Sequence, residues 1–270
     1  MTSAGISGDR YFGVRYRQQQ KEQIMNRTTW LVLGVVVVAV ICGLLSCSGR
    51  DQKSAANAPA APRVNPDISK PGMNIDPTAN IHPSVILDGK VAVGAYTNVG
   101  AGTILTGNIS IGHHTIIACN ATLRGRITVG NYTHIYDNVN IEGGRPAKPT
   151  GGSLAEVADQ AIIGDHCWIN HGAIMHGTQI ADGGAVGINS ACDYNTRIGK
   201  NAVLADGSAT RVGMVICDGC FFEGVPAVMK KKGLTEEDRA NYFGVSPLAW
   251  TTYAGDRQEA SAKKRMAGGK

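Results

Sequence analysis

The sequence predicts an all-β fold, a left-handed parallel β-helix of hexapeptide repeats followed by a C-terminal α-helix. Three observations predict it. From Ile75 onward an aliphatic residue recurs at every sixth position, glycine often follows it, and a small or β-branched residue sits four places on. A period of six matches neither an α-helix nor an alternating strand. It matches a triangular coil in which three short strands make one turn of about eighteen residues.

The N-terminus carries its own signal. Trp30 to Cys47 is an uncharged, mostly apolar run, preceded by Arg27 and closed by Leu44-Leu45-Ser46-Cys47. A basic flank, an apolar stretch and small residues before a cysteine read as a bacterial lipoprotein signal over residues 1–47, with Cys47 as the lipidated residue. Met25 opens that signal, which marks it as an alternative start. The competing reading is an uncleaved single-span anchor, since the run nearly reaches the length needed to cross a bilayer. Under either reading the rest of the chain is exported and held at a membrane, on the periplasmic or cell-surface side. Residues 48–72 are Ala/Pro-rich and without periodicity, the composition of a tether.

The β-helix is expected over residues 73–230. Its ruler runs Ile75, Ile81, Leu87, Val93, Val99, Leu105, Ile111, Ile117, Leu123, Val129, Ile135, Ile141, then Ile163, Ile169 and Met175. One residue is missing before Ile180, after which Val186, Cys192, Ile198 and Leu204 follow, weakening at Thr210, Ile216 and Phe222. The aliphatic side chain is expected to fill the prism, and the small residue and glycine to permit the corners. Stacked coils would share one core and pair each other's backbone groups. Such hexapeptide coils wind left-handed, against the usual right-handed crossover.

Gly143–Gln160 interrupts the ruler with a Gly/Pro-rich insertion, a length often tied to function. After Val225-Pro226 the repeats stop. Thr235-Glu236-Glu237-Asp238 reads as a capped helix start, so residues 231–253 are expected to hold the helix, ending near Gly244. Residues 254–270 read as a basic tail. The net charge of +5 resides largely in Lys230–Lys232 and Lys263–Arg265, solvated ends of a domain rather than a nucleic-acid surface. Beyond Cys42 and Cys47, the odd set Cys119, Cys167, Cys192, Cys217 and Cys220 does not suggest a disulfide framework. The Cys217/Cys220 pair is read as small buried fillers in preference to a zinc site.

Repeat phase stacks residues without coordinates. Arg124, Glu142 and His176 each directly follow a ruler residue, which predicts one outward column. Asp137 and His171 share another phase and predict a second column on the neighbouring face, with coils about 4.8 Å apart. His82, His113, His114 and His166 fall near corners and read as surface residues.

Leu123-Arg124-Gly125, Val129-Gly130-Asn131, Asp137, Asn170-His171-Gly172 and Met175-His176-Gly177 together resemble the gamma-class carbonic anhydrases, over roughly Ile75 to Tyr253. The resemblance implies a homotrimer with zinc, or iron or cobalt, between subunits, and reversible hydration of CO2 to bicarbonate through metal-activated water, a lyase reaction. It implies that His171 and His176 are metal ligands from neighbouring subunits, and that Arg124 and Asp137 form an intersubunit ion pair. The family's third histidine ligand falls on Glu142. Its water- and CO2-positioning residues fall on His134 and Tyr136, taken here as the catalytic candidates, and its proton-shuttling carboxylates have no clear counterpart. A Glu-His-His set is a known zinc set for water activation, although a carboxylate donor should leave the metal a weaker Lewis acid. The competing readings are a trimeric scaffold or binding protein, with Glu142 simply paired to Arg124, and a hexapeptide acyltransferase. An exported domain would not meet the acyl-CoA or acyl-carrier donors of the last.

Overall fold

The computed structural model describes residues 68–144 and 160–268. The signal, most of the tether and nearly all of the 143–160 insertion, Glu156 included, lie outside the described residues. No helix among the described residues is long and apolar enough to cross a membrane.

The ruler becomes the core. Every ruler residue from Leu87 to Ile216 is buried, with Val99, Leu105, Ile117, Leu123, Ile135, Ile141, Ile169 and Met175 fully enclosed. Short parallel strands stack with a coil repeat of eighteen residues, as in Leu87↔Leu105↔Leu123↔Ile141. The insertion lengthens one step, pairing Val129 with Ile163, and the missing residue shortens the next, pairing Ile163 with Ile180. Both irregularities leave the inward column unbroken. The result is a parallel β-solenoid of about eight turns with helix at its C-terminal end.

The residue four places after the ruler does more than save space. Thr97, Thr103, Thr115 and Thr133 are buried, and each hydroxyl donates to a backbone carbonyl of the next coil: Gly112 at 2.7 Å, Ala118 at 2.8 Å, Gly130 at 2.8 Å and Gly164 at 2.7 Å. The hydroxyls of Thr115 and Thr133 also accept the amides of Thr133 and Cys167. A buried hydroxyl is costly unless paired, and this ladder pairs it.

Two kinds of corner turn the chain. At one, Gly89, Gly107 and Gly125 stack with φ of 88°, 116° and 95°. A Cβ on Gly107 would overlap the carbonyl oxygen of Gly125 in the next coil. Another corner stacks Tyr96, His114, Tyr132 and His166, all left-handed with φ between 51° and 58°. Side chains tolerate that conformation at some cost, and here they gain ring contacts, with centroids 4.6 Å apart for His114–Tyr132 and 5.1 Å for Tyr132–His166.

The C-terminal region keeps the expected capped helix but departs from expectation on either side of it. The last coil folds back as an antiparallel hairpin, Cys220–Gly224 against Ala227–Lys232. Helix α1 spans Glu236–Phe243, with Thr235 and Asp238 forming the expected capping box and Gly244 the left-handed C-cap. Its Arg239 is buried, donating to Gly183 O and Asn201 Oδ1 and pairing with Glu236. Helix α2 then runs from Pro247 to Gly268 through the segment read as a basic tail. The reason is docking. Thr251, Asp256 and Glu259 reach His166 Nδ1 (3.2 Å), Tyr132 Oη (3.3 Å) and His114 Nε2 (2.9 Å) in turn. Gly255 lets the helix approach, since a Cβ there would strike the Tyr132 ring. His114 and His166 are therefore half-buried under α2 rather than free surface histidines, because the corner column supplies a flat aromatic seat.

Cys217 and Cys220 form a disulfide rather than serving as thiol fillers. They flank the left-handed Gly219 corner, which brings their Cα atoms to 5.3 Å, within the range a disulfide spans. Cys167 and Cys192 are the buried thiols expected, whereas Cys119 is exposed.

The two glycine environments make distinguishable predictions. Gly207 is left-handed at φ 63° with nothing near its missing Cβ, so Gly207→Ala should cost about 1–2 kcal/mol from conformation alone. Gly107→Ala adds a backbone overlap and should cost at least about 3 kcal/mol. Urea unfolding followed by circular dichroism ranks the two.

Candidate functional site

The two columns read from phase are present in the register. Arg124 lies opposite Glu142, and Glu142 opposite His176. These three side chains stand just before the glycine corner, a third to a half exposed to solvent. Glu142 Oε2 is 3.8 Å from Arg124 Nη2 and 4.0 Å from His176 Nε2. The carboxylate therefore sits between a guanidinium and an imidazole. Tyr194 closes the column above His176 with ring centroids 4.9 Å apart.

On the neighbouring face, Asp137 and His171 stack as expected. Asp137 Oδ2 is 3.2 Å from His171 Nδ1, while its Oδ1 accepts the Cys119 amide at 2.8 Å. Held by both oxygens, the carboxylate fixes the Nδ1 side of the ring and leaves Nε2 as the nitrogen not facing Asp137. Within one chain Asp137 thus faces His171 and Arg124 faces Glu142. The two columns lie on different edges.

His134 and Tyr136 belong to the His171 side. Their rings stack at 4.1 Å and 10°, and Tyr136 lies 4.6 Å from His171 and 5.4 Å from Trp168. His134 lines up beside Trp168, which packs under Phe243 of α1. Burial first, and then the neighbouring His171 charge, press the His134 imidazole down to about 4, with Asp137 opposing weakly. It is neutral at pH 7, and its Nδ1 is buried without a protein partner. Burial pushes the Tyr136 phenol up to about 12, against a lowering contact from Trp250 of α2. Tyr136 therefore stays a protonated donor. The contribution of Trp250 was not legible in the sequence, because the helix carrying it lay in the segment with no repeat phase.

Among the described residues of one chain, no three His, Cys, Asp or Glu side chains gather closely enough to hold a metal ion. Glu142 and His176 make a two-donor edge, and His171 a one-donor edge with its second nitrogen anchored by a carboxylate, the usual support for a metal-binding histidine. Two imidazoles and one carboxylate suit zinc chemically. Within one chain these donors stand on two separate edges.

Known proteins add the fold. No family model matches the chain, and no curated protein does. Among solved structures, the chain is similar to a Bacillus cereus protein described as an acetyltransferase, at 20% identity over 70% of this chain and 91% of that one, with a TM-score of 0.48. It is also similar to a hexapeptide transferase family protein from Anaplasma phagocytophilum (21% identity, 71% and 91% covered, TM-score 0.45). A third is AntD, an N-acyltransferase from Bacillus cereus solved with a dTDP-sugar and coenzyme A (17% identity, 63% and 89% covered, TM-score 0.45). The chain is a hexapeptide-repeat left-handed β-helix. At these identities the likeness concerns the solenoid and carries no activity with it.

His134 makes the site sensitive to acid. Its folded pKa lies below the unfolded value of about 6.5, so the unfolded chain binds the proton first as pH falls. Its contribution is fully present above about pH 6.5 and is lost towards about pH 4, amounting to roughly 3 kcal/mol. His134→Gln should flatten that part of the stability profile. Urea midpoints at pH 7 and pH 4.5 for both proteins would show it, and parallel profiles would disprove it.

Proposed function

We propose that copies of this solenoid associate side by side as a homotrimer, and that each interface brings the Glu142–His176 edge of one copy to the His171 edge of another to hold a divalent metal. Zinc is the first choice, with iron or cobalt as alternatives, and the reaction is reversible hydration of CO2 to bicarbonate. The observation that supports this reading is the presence of two donor edges: a Glu–His column in register, and a histidine whose Nδ1 is anchored by Asp137, leaving Nε2 for another ligand. When bound, the metal would acidify a water for attack on CO2. Glu142 brings a negative charge where a third imidazole would bring none, which raises the pKa of that water and slows hydration near neutral pH. Neutral His134 and the protonated Tyr136 phenol wall the site, excluding water and orienting the substrate. Arg124 competes for Glu142 within a chain. In the trimer it would turn to Asp137 of a neighbouring copy and set the packing.

Export supports the same reading, because the Cys217–Cys220 disulfide is chemistry of oxidising compartments. We place the domain outside the cytoplasm, tethered through lipid on Cys47.

One observation favours a second reading. The His171–Asp137 pair is also a carboxylate-oriented base, able to take a proton from a hydroxyl or amine attacking an acyl thioester. Export away from acyl-CoA weighs against it.

One experiment separates the readings. The domain over residues 48–270 is prepared with excess zinc, its metal content measured, and CO2 hydration followed by stopped flow. The expected result is zinc bound in proportion to subunits, with hydration lost in His171→Ala and His176→Ala. Glu142→His should raise hydration about tenfold or more near neutral pH. A metal-free protein that consumes acetyl-CoA, and loses that activity in His171→Ala, would establish acyl transfer instead. A metal-free protein inert in both assays would leave a scaffold. Sedimentation should give a trimer that Arg124→Ala weakens.

A further inference from the structure

We propose that the first-coil end of the solenoid, with the basic C-terminal end of α2 beside it, is a docking face for an anionic lipid bilayer. The inference starts from the direction of α2. Its contacts step down the corner column, from Thr251 at His166, through Asp256 at Tyr132, to Glu259 at His114. Eight residues of helix, at about 1.5 Å each, thus cover two coil steps of about 4.8 Å. The next step brings Lys263 within electrostatic reach of Tyr96, and one more would bring the helix end level with the first coil. The helix therefore returns the last residues of the chain to the end where the solenoid begins.

What it brings there is cationic. After Glu259 the sequence has Lys263, Lys264, Arg265 and Lys270 and no carboxylate side chain. Lys263, Lys264 and Arg265 are exposed, as is Met266, an apolar side chain among them. Lys70 and Lys90 are exposed on the first coil. The carboxylates at this end are mostly engaged: Asp76 accepts from Thr78, and Glu259 pairs with His114 and Lys263. Asp88 is exposed, two residues from Lys90. Cations in a last helical turn also complement the helix dipole, but that needs only one or two of them and no exposed methionine.

Chain entry points the same way. The first coil follows directly on the segment that leads back to the apolar run Trp30–Cys47. Clustered lysines and arginines beside a membrane attachment are the pattern that binds anionic lipid surfaces. The opposite end offers a built-in contrast in the exposed Lys230 and Lys232 of the hairpin.

The proposal goes beyond the interface chemistry and does not depend on it. Residues 61–270 form one compact unit with a continuous core, so the domain without its apolar run can be tested by cosedimentation with vesicles. It should bind mixed phosphatidylcholine–phosphatidylglycerol vesicles, release at about 0.5 M salt where screening is short-ranged, and ignore pure phosphatidylcholine. Lys264→Glu with Arg265→Glu should weaken binding about tenfold or more, while Lys230→Glu with Lys232→Glu should leave it intact. Circular dichroism checks that both variants fold. Absence of binding, equal binding to neutral vesicles, or equal loss in the two variants would each overturn it.

Discussion

Everything in this molecule depends on coil stacking on coil in strict register. Backbone groups of each coil pair with the coils above and below, and one aliphatic side chain per six residues fills the interior between them. Neither arrangement survives alone: a single coil cannot bury its apolar face or satisfy its backbone. Because the spacing is fixed, an insertion or deletion must be absorbed at a corner. The shortened turn at Gly177 does this, and the core column continues through Ile163, Met175 and Ile180.

The same constraint organises the outside. Any residue of a given phase stands directly over its counterpart, so outward chemistry is arranged in columns. Some columns are structural, as where Asp165, Asp182 and Asp218 each accept the amide of a residue in the preceding coil. Others bring dissimilar side chains together, as in Arg124–Glu142–His176. A carboxylate in such a column is ambiguous from phase alone. Asp165 is spent on an amide, whereas Glu142 stands between the Arg124 guanidinium and the His176 imidazole with a third or more of its surface open to solvent.

The two donor edges also follow from this geometry. A triangular prism presents neighbouring phases on different faces, so His171 and His176, five residues apart, cannot converge on one ion within a chain. A site that drew donors from both edges would need more than one copy of the chain. The aromatic wall of His134, Tyr136 and Trp168 lies on the His171 side alone, which would give the two halves of an interface unequal roles. One half would supply two of the donors, and the other the third donor with the aromatic wall.

By itself the sequence determined the solenoid, its interruptions and the membership of both columns, because a six-residue period is local information that stacking converts into position. Glu142 beside Arg124 and His176, and Asp137 beside His171, were legible for that reason. The capping box of α1 was legible too, since four adjacent residues carry it. Tertiary structure alone decided what covers the prism. Helix α2 has a weak pattern of its own and takes its path from the stacked rings of His114, Tyr132 and His166, of which the two histidines read as surface until a helix docks on them. The Cys217–Cys220 bond likewise needed the left-handed Gly219 corner to bring the thiols together. Contacts of this kind join segments 85 or more residues apart or depend on a local backbone angle, and no repeat phase encodes either.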